Sequence, residues 1–230
     1  KDIVGGKAYW AKCFQEVIAM AVEHGVPQYF VTFTANEMGW EDLKFACDNK
    51  RFSDRAVDAT RHYHHRWTQF NSTYLKIGLK TPIGTIKHKW YRQEDQARGS
   101  LHVHAAIWIE RDESTPQDEL TGMKEAREGI CGTLPRNCQT PAQRAWRDFV
   151  SVLQRHDCRT KCHYKKGEFM GDDFCKYLYP RPVCPKSESP RLNLDTERCE
   201  LTCEIAAEDE RLSPYVAEWL LTWVGGMNVQ

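Results

Sequence analysis

Two rhythms of apolar and polar positions run along this chain, and its elements follow from them. Between Ala8 and His24 the apolar residues are Tyr9, Trp10, Cys13, Phe14, Val17, Ile18, Ala21 and Val22. That spacing of three and four predicts an amphipathic helix, with Cys13 among its core residues. Gly25 and Pro27 stop it. Tyr29 to Ala35 is rich in aromatic and β-branched residues and predicts a central strand, with a short helix over Trp40 to Phe45 after the turn at Asn36 to Gly39. Ser53 to Lys76 reads as a second long helix capped by Ser53, with Val57, Tyr63, Trp67, Phe70 and Leu75 on its apolar face. His62, His64 and His65 lie on that helix as solvated or partly packed residues.

Past the turn-rich break at Gly78 to Gly84 the rhythm changes to a period of two. Thr85 to Glu94 and Leu101 to Glu110 predict the two arms of an antiparallel hairpin that turns through Ala97 to Ser100. Arg111 to Gly129 is a polar connection with a helical piece around Leu120 to Glu128. Beyond Cys131, Pro141 to Leu153 predicts a helix with Trp146, Phe149, Val150 and Leu153 along one side. Ser187 to Pro190 reads as a loop, Arg198 to Ile205 as an edge strand, and Pro214 to Val224 as a final helix before Gly225 and Gly226.

Composition narrows the class. With 230 residues the chain can bury one good core, or one core plus a small appended module. No apolar run is long enough for a transmembrane helix, and Lys1 to Gly6 lacks the apolar stretch of a signal peptide. The missing initial Met suggests a piece of a longer polypeptide. A formal net charge of zero argues against a protein that simply coats nucleic acid. The balance hides a local basic stretch at Arg155, Arg159, Lys161, Lys165 and Lys166, against an acidic one from Glu204 to Glu210. Ten cysteines without a secretory signal read as thiols or metal ligands rather than disulfides, and most of them follow Gly129.

Two constellations carry chemistry. In Leu101-His102-Val103-His104, alternate positions of a strand point to one face, so His102 and His104 project together while Val103 points away. Two imidazoles held in parallel make half of a divalent-metal site. Glu94 and Gln96, on the partner arm, are both candidates for an oxygen ligand. Glu94 is the better ligand for a hard cation by charge, and Gln96 lies closer to the turn. The second constellation is His156, Cys158, Cys162 and Cys175, whose donor types suit a tetrahedral structural zinc site. Cys131, Cys138, His163 and Cys184 are spare candidates among which spacing does not choose.

Several stretches together resemble the replication-initiator-like portion of Helitron transposases, the rolling-circle transposons whose nuclease domain belongs to the HUH endonucleases. They are Gly5 to Trp10; Gly25-Val26-Pro27 through Thr32-Phe33-Thr34-Ala35 to Trp40; Arg92, Glu94, Gln96, Arg98-Gly99-Ser100 and His102-Val103-His104, with Leu101 where proline is usual; His156, Cys158, Cys162 and Cys175 to Pro182; and Tyr215, Leu220, Leu221, Trp223 and Met227 to Gln230. Cysteine stands where the family has a second histidine in the fourth of these blocks, which keeps a zinc ligand.

The resemblance implies an α+β fold in which a central antiparallel β-sheet, ferredoxin- or RRM-like, carries His102 and His104 on a middle strand with helices packed on one face. It implies a nuclease core over 1–130, a zinc-stabilised Cys/His insertion over 131–190, and a C-terminal strand and helix over 191–230. It further implies Mg2+ or Mn2+ at the His-x-His pair with Glu94 or Gln96 as third ligand, and structural Zn2+ in the insertion. Single-stranded DNA at transposon ends would be the substrate, contacted by Arg92, Arg98 and Asn36. Nicking would proceed by tyrosine attack to a 5′-phosphotyrosine, in a nuclear protein followed by a helicase domain. The family's nucleophilic tyrosines come in a helix shortly after the stretch matched by Met227 to Gln230, so the expectation is a fragment that lacks them. Tyr215 is the remaining candidate, at a position that in the family precedes the nucleophile helix. The rival readings are a non-catalytic DNA-binding domain and a zinc-stabilised interaction module in which the two histidines are structural.

Overall fold

A computed structural model describes residues 6–95, 101–110, 129–186, 191–193 and 200–230. The chain is α+β. A five-stranded antiparallel sheet has the order β2-β3-β4-β1-β9, formed by β1 (Tyr29–Thr34), β2 (Lys80–Thr81), β3 (Gly84–Asp95), β4 (Leu101–Ile109) and β9 (Met227–Val229). The histidine-bearing strand β4 is therefore the middle one. Two small ribbons stand apart from this sheet, β5 (Tyr164–Lys165) with β6 (Glu168–Phe169), and β7 (Arg191–Asn193) with β8 (Glu200–Thr202).

Strand alternation gives the sheet one wholly apolar face and a second that carries the histidines beside the buried Ala106 and Trp108. Tyr29, Val31 and Phe33 of β1, Val103, Ala105 and Ile107 of β4, and Met227 and Val229 of β9 are all buried. Over them pack α2 (Glu41–Ala46), α3 (Ala56–Tyr74) and α5 (Ala217–Trp223), through Leu43, Tyr63, Trp67, Phe70, Trp219 and Trp223. Phe33 meets four of these rings at centroid distances of 5.1 to 6.2 Å. Such aromatic contacts add about 0.5–1.5 kcal/mol each beyond area burial. The other helix of this half, α4 (Pro141–Gln154), is closed by a capping box between Thr140 and Gln143.

Several expectations are corrected. Helices do not occupy one face alone. The first helix, α1 (Lys7–His24), lies on the histidine side: Trp10 stacks under the Arg92 guanidinium at 3.8 Å, His24 stacks on His88 at 3.7 Å, and the Trp108 indole donates to the Gly25 carbonyl. It contributes no fully buried residue, and Phe14, Ile18 and Val22 of its apolar stripe are exposed. Cys13 is half-buried rather than core. Ser53 does not cap α3; residues Phe52–Arg55 form a 3-10 turn, Ser53 Oγ reaches Asp54, and Arg55 stands at the N-cap. Pro214 to Val216 is extended, with Tyr215 bridged to Cys131, so α5 starts later than the apolar pattern suggested. Of the edge strand expected over Arg198 to Ile205, the described part is β8, paired with β7 among the described residues, and Ile205 is bridged to Cys184. The helical piece at Leu120 to Glu128 and the loop at Ser187 to Pro190 lie outside the described residues.

Candidate metal centre

β4 pairs with β3 on one side and β1 on the other, and the register decides which side chains meet. Opposite His102 stand Glu94 and Thr34; opposite His104 stand Arg92 and Thr32. All six project from the same face, because directly paired residues share a side of the sheet. The two Nε2 atoms converge to 2.9 Å, and Glu94 Oε2 lies 3.5 Å from each. Two ligands at right angles on an ion with bonds of about 2.1 Å stand about 3.0 Å apart. The imidazole separation fits that geometry, and Glu94 occupies a third corner.

The surroundings of His104 favour a neutral imidazole. Burial, then the neighbouring His102, pushes the His104 pKa down, while Glu94 pulls it up less strongly. His104 Nδ1 lies 3.0 Å from Thr32 Oγ1, and Phe30 stacks on its ring at 5.2 Å. If Nδ1 donates to Thr32, Nε2 presents a lone pair to the shared space, which is the tautomer a metal requires. Glu94 Oε1 pairs with Arg92 Nε at 3.0 Å, so one carboxylate oxygen is anchored and the other faces the histidines. Glu94, His102 and His104 thus form a cluster able to hold a metal ion.

The second cluster sits in the stretch after α4. His156 Nε2, Cys158 Sγ, Cys162 Sγ and Cys175 Sγ all lie within 4.8 Å of one another. His156 Nε2 is 3.4 Å from Cys175 Sγ and 3.7 Å from Cys162 Sγ. Tetrahedral zinc with Zn–N of about 2.05 Å and Zn–S of about 2.3 Å sets nitrogen and sulfur roughly 3.5 Å apart. Burial, then Arg211, lowers the His156 pKa and keeps the ring neutral. At Cys175 burial pushes the thiol pKa up, but backbone N–H groups of Tyr179 and Tyr177 with the neighbouring thiols outweigh it and bring it below the ordinary value. Arg211 donates to Cys158 Sγ at 3.3 Å, and Tyr179 stacks on His156 at 4.3 Å. The spare candidates are not grouped with these four: His163 Nδ1 meets the Phe174 carbonyl and Cys138 Sγ the Pro135 carbonyl, while Cys131 and Cys184 lie on backbone bridges to Tyr215 and Ile205.

The remaining sequence candidates fall in different places. Gln96 and Arg98 lie outside the described residues. Arg92 borders the cluster, held between Glu94 and Trp10. Asn36 uses its amide on the Val224 carbonyl, at the end of α5. Tyr215 is buried, its hydroxyl donates to the Thr133 carbonyl at 3.0 Å, and burial pushes its pKa up, all of which oppose attack by a phenolate. Thr32 and Phe30 were not singled out from sequence; the alternation Phe30, Thr32, Thr34 along β1 was the available signal.

The sequence of residues 1–107 matches the family model described as the Helitron helicase-like domain at the N-terminus. Over this segment the chain is similar to Helitron helicase-like N-terminal domains. The matched region runs from α1 into β4 and includes Glu94, His102 and His104, whereas the Cys/His cluster lies beyond it. No curated protein and no solved structure matches the chain. The Helitron-like segment thus supplies the three inner strands of the sheet, and β9 adds an edge strand from the far end of the chain. No helix among the described residues is long and apolar enough to cross a membrane.

Proposed function

We propose that this chain is the metal-dependent single-stranded DNA nicking and strand-transfer domain of a Helitron-like rolling-circle transposase, acting in the nucleus ahead of a helicase domain. The observation that carries the reading is the convergence of the two imidazole Nε2 atoms and Glu94 Oε2 on one point of a rigid sheet, within the Helitron-like segment.

A divalent ion, Mg2+ or Mn2+, held by His102, His104 and Glu94 would polarise the scissile phosphate and offset its charge. The protein's own part is to hold these ligands in place. Thr32 fixes the His104 ring, the Arg92 ion pair fixes Glu94, and the paired strands keep His102 and His104 on one face of the sheet. Arg92 and Arg98 stand next to the ligands in sequence and would meet the DNA backbone. Attack by a tyrosine hydroxyl on phosphorus would form a phosphotyrosine and release the 3′-oxygen. In the family pattern that tyrosine follows the stretch corresponding to Met227 to Gln230, and the burial of Tyr215 and its bond to Thr133 argue against giving Tyr215 that role. Zn2+ in the His156, Cys158, Cys162 and Cys175 cluster would fold its surroundings rather than take part in cleavage.

The test is calorimetric. The 230-residue chain should bind Mn2+, and the double substitution His102→Ala with His104→Ala should abolish that binding without lowering the melting temperature. Unchanged Mn2+ affinity in the double variant would sink the reading and leave the two histidines structural.

A further inference from the structure

The face that carries the histidines does not end at that pair. Thr34, paired with His102, and Thr32, paired with Asn228, carry it across β1 to the edge strand β9. Beside that edge is a cleft of about 190 Å3, lined by Thr34, Gln154, Arg155, His156, Ser213 and Asn228 and floored by Gly226. It joins the sheet to the Cys/His cluster, since His156 belongs to both.

Three features make the cleft a seat for an anion. No carboxylate lines it, while Arg155 does, and Arg181 stands behind Asn228 with Nη2 donating to Asn228 Oδ1 at 3.3 Å. Gln154 is 2% exposed; its Oε1 accepts the Met227 N–H at 3.2 Å, which fixes the amide orientation and leaves Nε2 without a partner. A buried donor without an acceptor is rare in folded proteins, and this one belongs to a residue that lines the cleft. Finally, residues 155–186 carry eight Lys and Arg against four Asp and Glu, a net charge of +4 in a chain whose total is zero. Negatively charged chains are steered to such a surface. The volume is below the roughly 300–1,000 Å3 of pockets for drug-sized ligands, and suits a single sugar–phosphate unit.

We propose that this cleft seats a phosphate of the same single nucleic-acid strand whose scissile phosphate lies at His102 and His104. The strand then crosses β1 and β9, a width of about 10 Å, toward the basic Cys/His region. The proposal rests on reading the histidine pair as a phosphodiester site.

The test uses the full chain, a fluorescent single-stranded oligonucleotide and anisotropy at several salt concentrations. Arg155→Gln removes an exposed charge, and should weaken binding about tenfold and lower the slope of log affinity against log salt by about 0.7. Gln154→Glu keeps the acceptor for Met227 but turns the free donor into an anionic oxygen, so it should weaken binding further. Gly226→Ala places a methyl at ordinary contact distances, 3.5 Å from Thr34 Cβ and 3.8 Å from the Leu153 carbonyl, so it narrows the cleft without disturbing the fold. It too should weaken the strand. Should Arg155→Gln and Gly226→Ala keep wild-type affinity and salt slope, the cleft is not the seat. A wild type that binds no single strand overturns this proposal together with the reading beneath it. A wild type that binds the strand but no Mn2+, with the cleft variants still weakened, upholds the cleft and removes the metal reading alone.

Discussion

Thr32 governs how His104 presents itself. Its hydroxyl lies 3.0 Å from Nδ1; when it accepts from Nδ1–H the lone pair falls on Nε2, which stands 2.9 Å from the neighbouring ring nitrogen. Replacing Thr32 by valine keeps the volume and the strand propensity but removes that partner. Thr32→Val should therefore lower Mn2+ affinity about 10- to 100-fold at unchanged fold, read by calorimetry beside a thermal melt; unchanged affinity would mean that packing alone orients the ring. At this scale the sequence was most legible where a period of two was enough. His-x-His places two rings on one face, and a hairpin places Glu94 near them. Thr32 was out of reach because it meets His104 only through the register between strands 72 residues apart. Asn36 shows the opposite limit: a motif fixes a residue's position, whereas its amide went to the Val224 carbonyl, a contact no local pattern announces.

Elements differ in what holds them. β1 is held by apolar burial on one face and β4 by burial on both, and the aromatic, β-branched and apolar runs that result make these strands visible in sequence. The stretch around the Cys/His cluster has little such support. Its separate core consists of Cys162, Cys175 and Tyr179, with Cys158 packed against them. Rings such as Tyr164, Phe169 and Tyr177 are exposed. A fold with so small a core needs a crosslink or a metal. Stripping the protein with a strong chelator should unfold this stretch while leaving the main sheet intact. Hydrogen exchange reads the difference: the amides of Cys162, Lys176 and Leu178, which donate to Arg159, Cys162 and Cys175, should lose protection, while the buried β1 residues Val31 and Phe33 keep theirs. Retained protection at all three after metal removal would sink the idea. For α1, a helical apolar pattern does not say which side of a sheet a helix will cover, so the helix was legible and its placement was not.

Over the whole molecule, the last residues of the chain complete what the first hundred begin. Trp223 is the point of closure. Fully buried, it meets Phe33, Trp40, Tyr63 and Phe70 at 5.2 to 5.7 Å, and its indole donates to the Thr34 carbonyl at 2.9 Å. Asn36, Trp40 and Arg66 all donate to carbonyls at the end of the same helix, those of Val224 and Trp223. Gly225 lies so close to Thr34 that a Cβ there would meet its carbonyl at 2.4 Å. The C-terminal helix is thereby locked to the residue that pairs with His102. Truncating Trp223 to alanine should cost about 3–5 kcal/mol, or roughly 10 °C in melting temperature at about 2–4 °C per kcal/mol for a domain of this size. Trp223→Phe should fall between wild type and alanine, because the ring still fills much of the space while the Thr34 carbonyl loses its donor. The same order should appear in Mn2+ affinity, since the Thr34 backbone helps set the strand on which His102 is registered. Variants that lose stability in this order with wild-type Mn2+ affinity would separate the core from the site, and show that β3 and β4 alone hold the histidines.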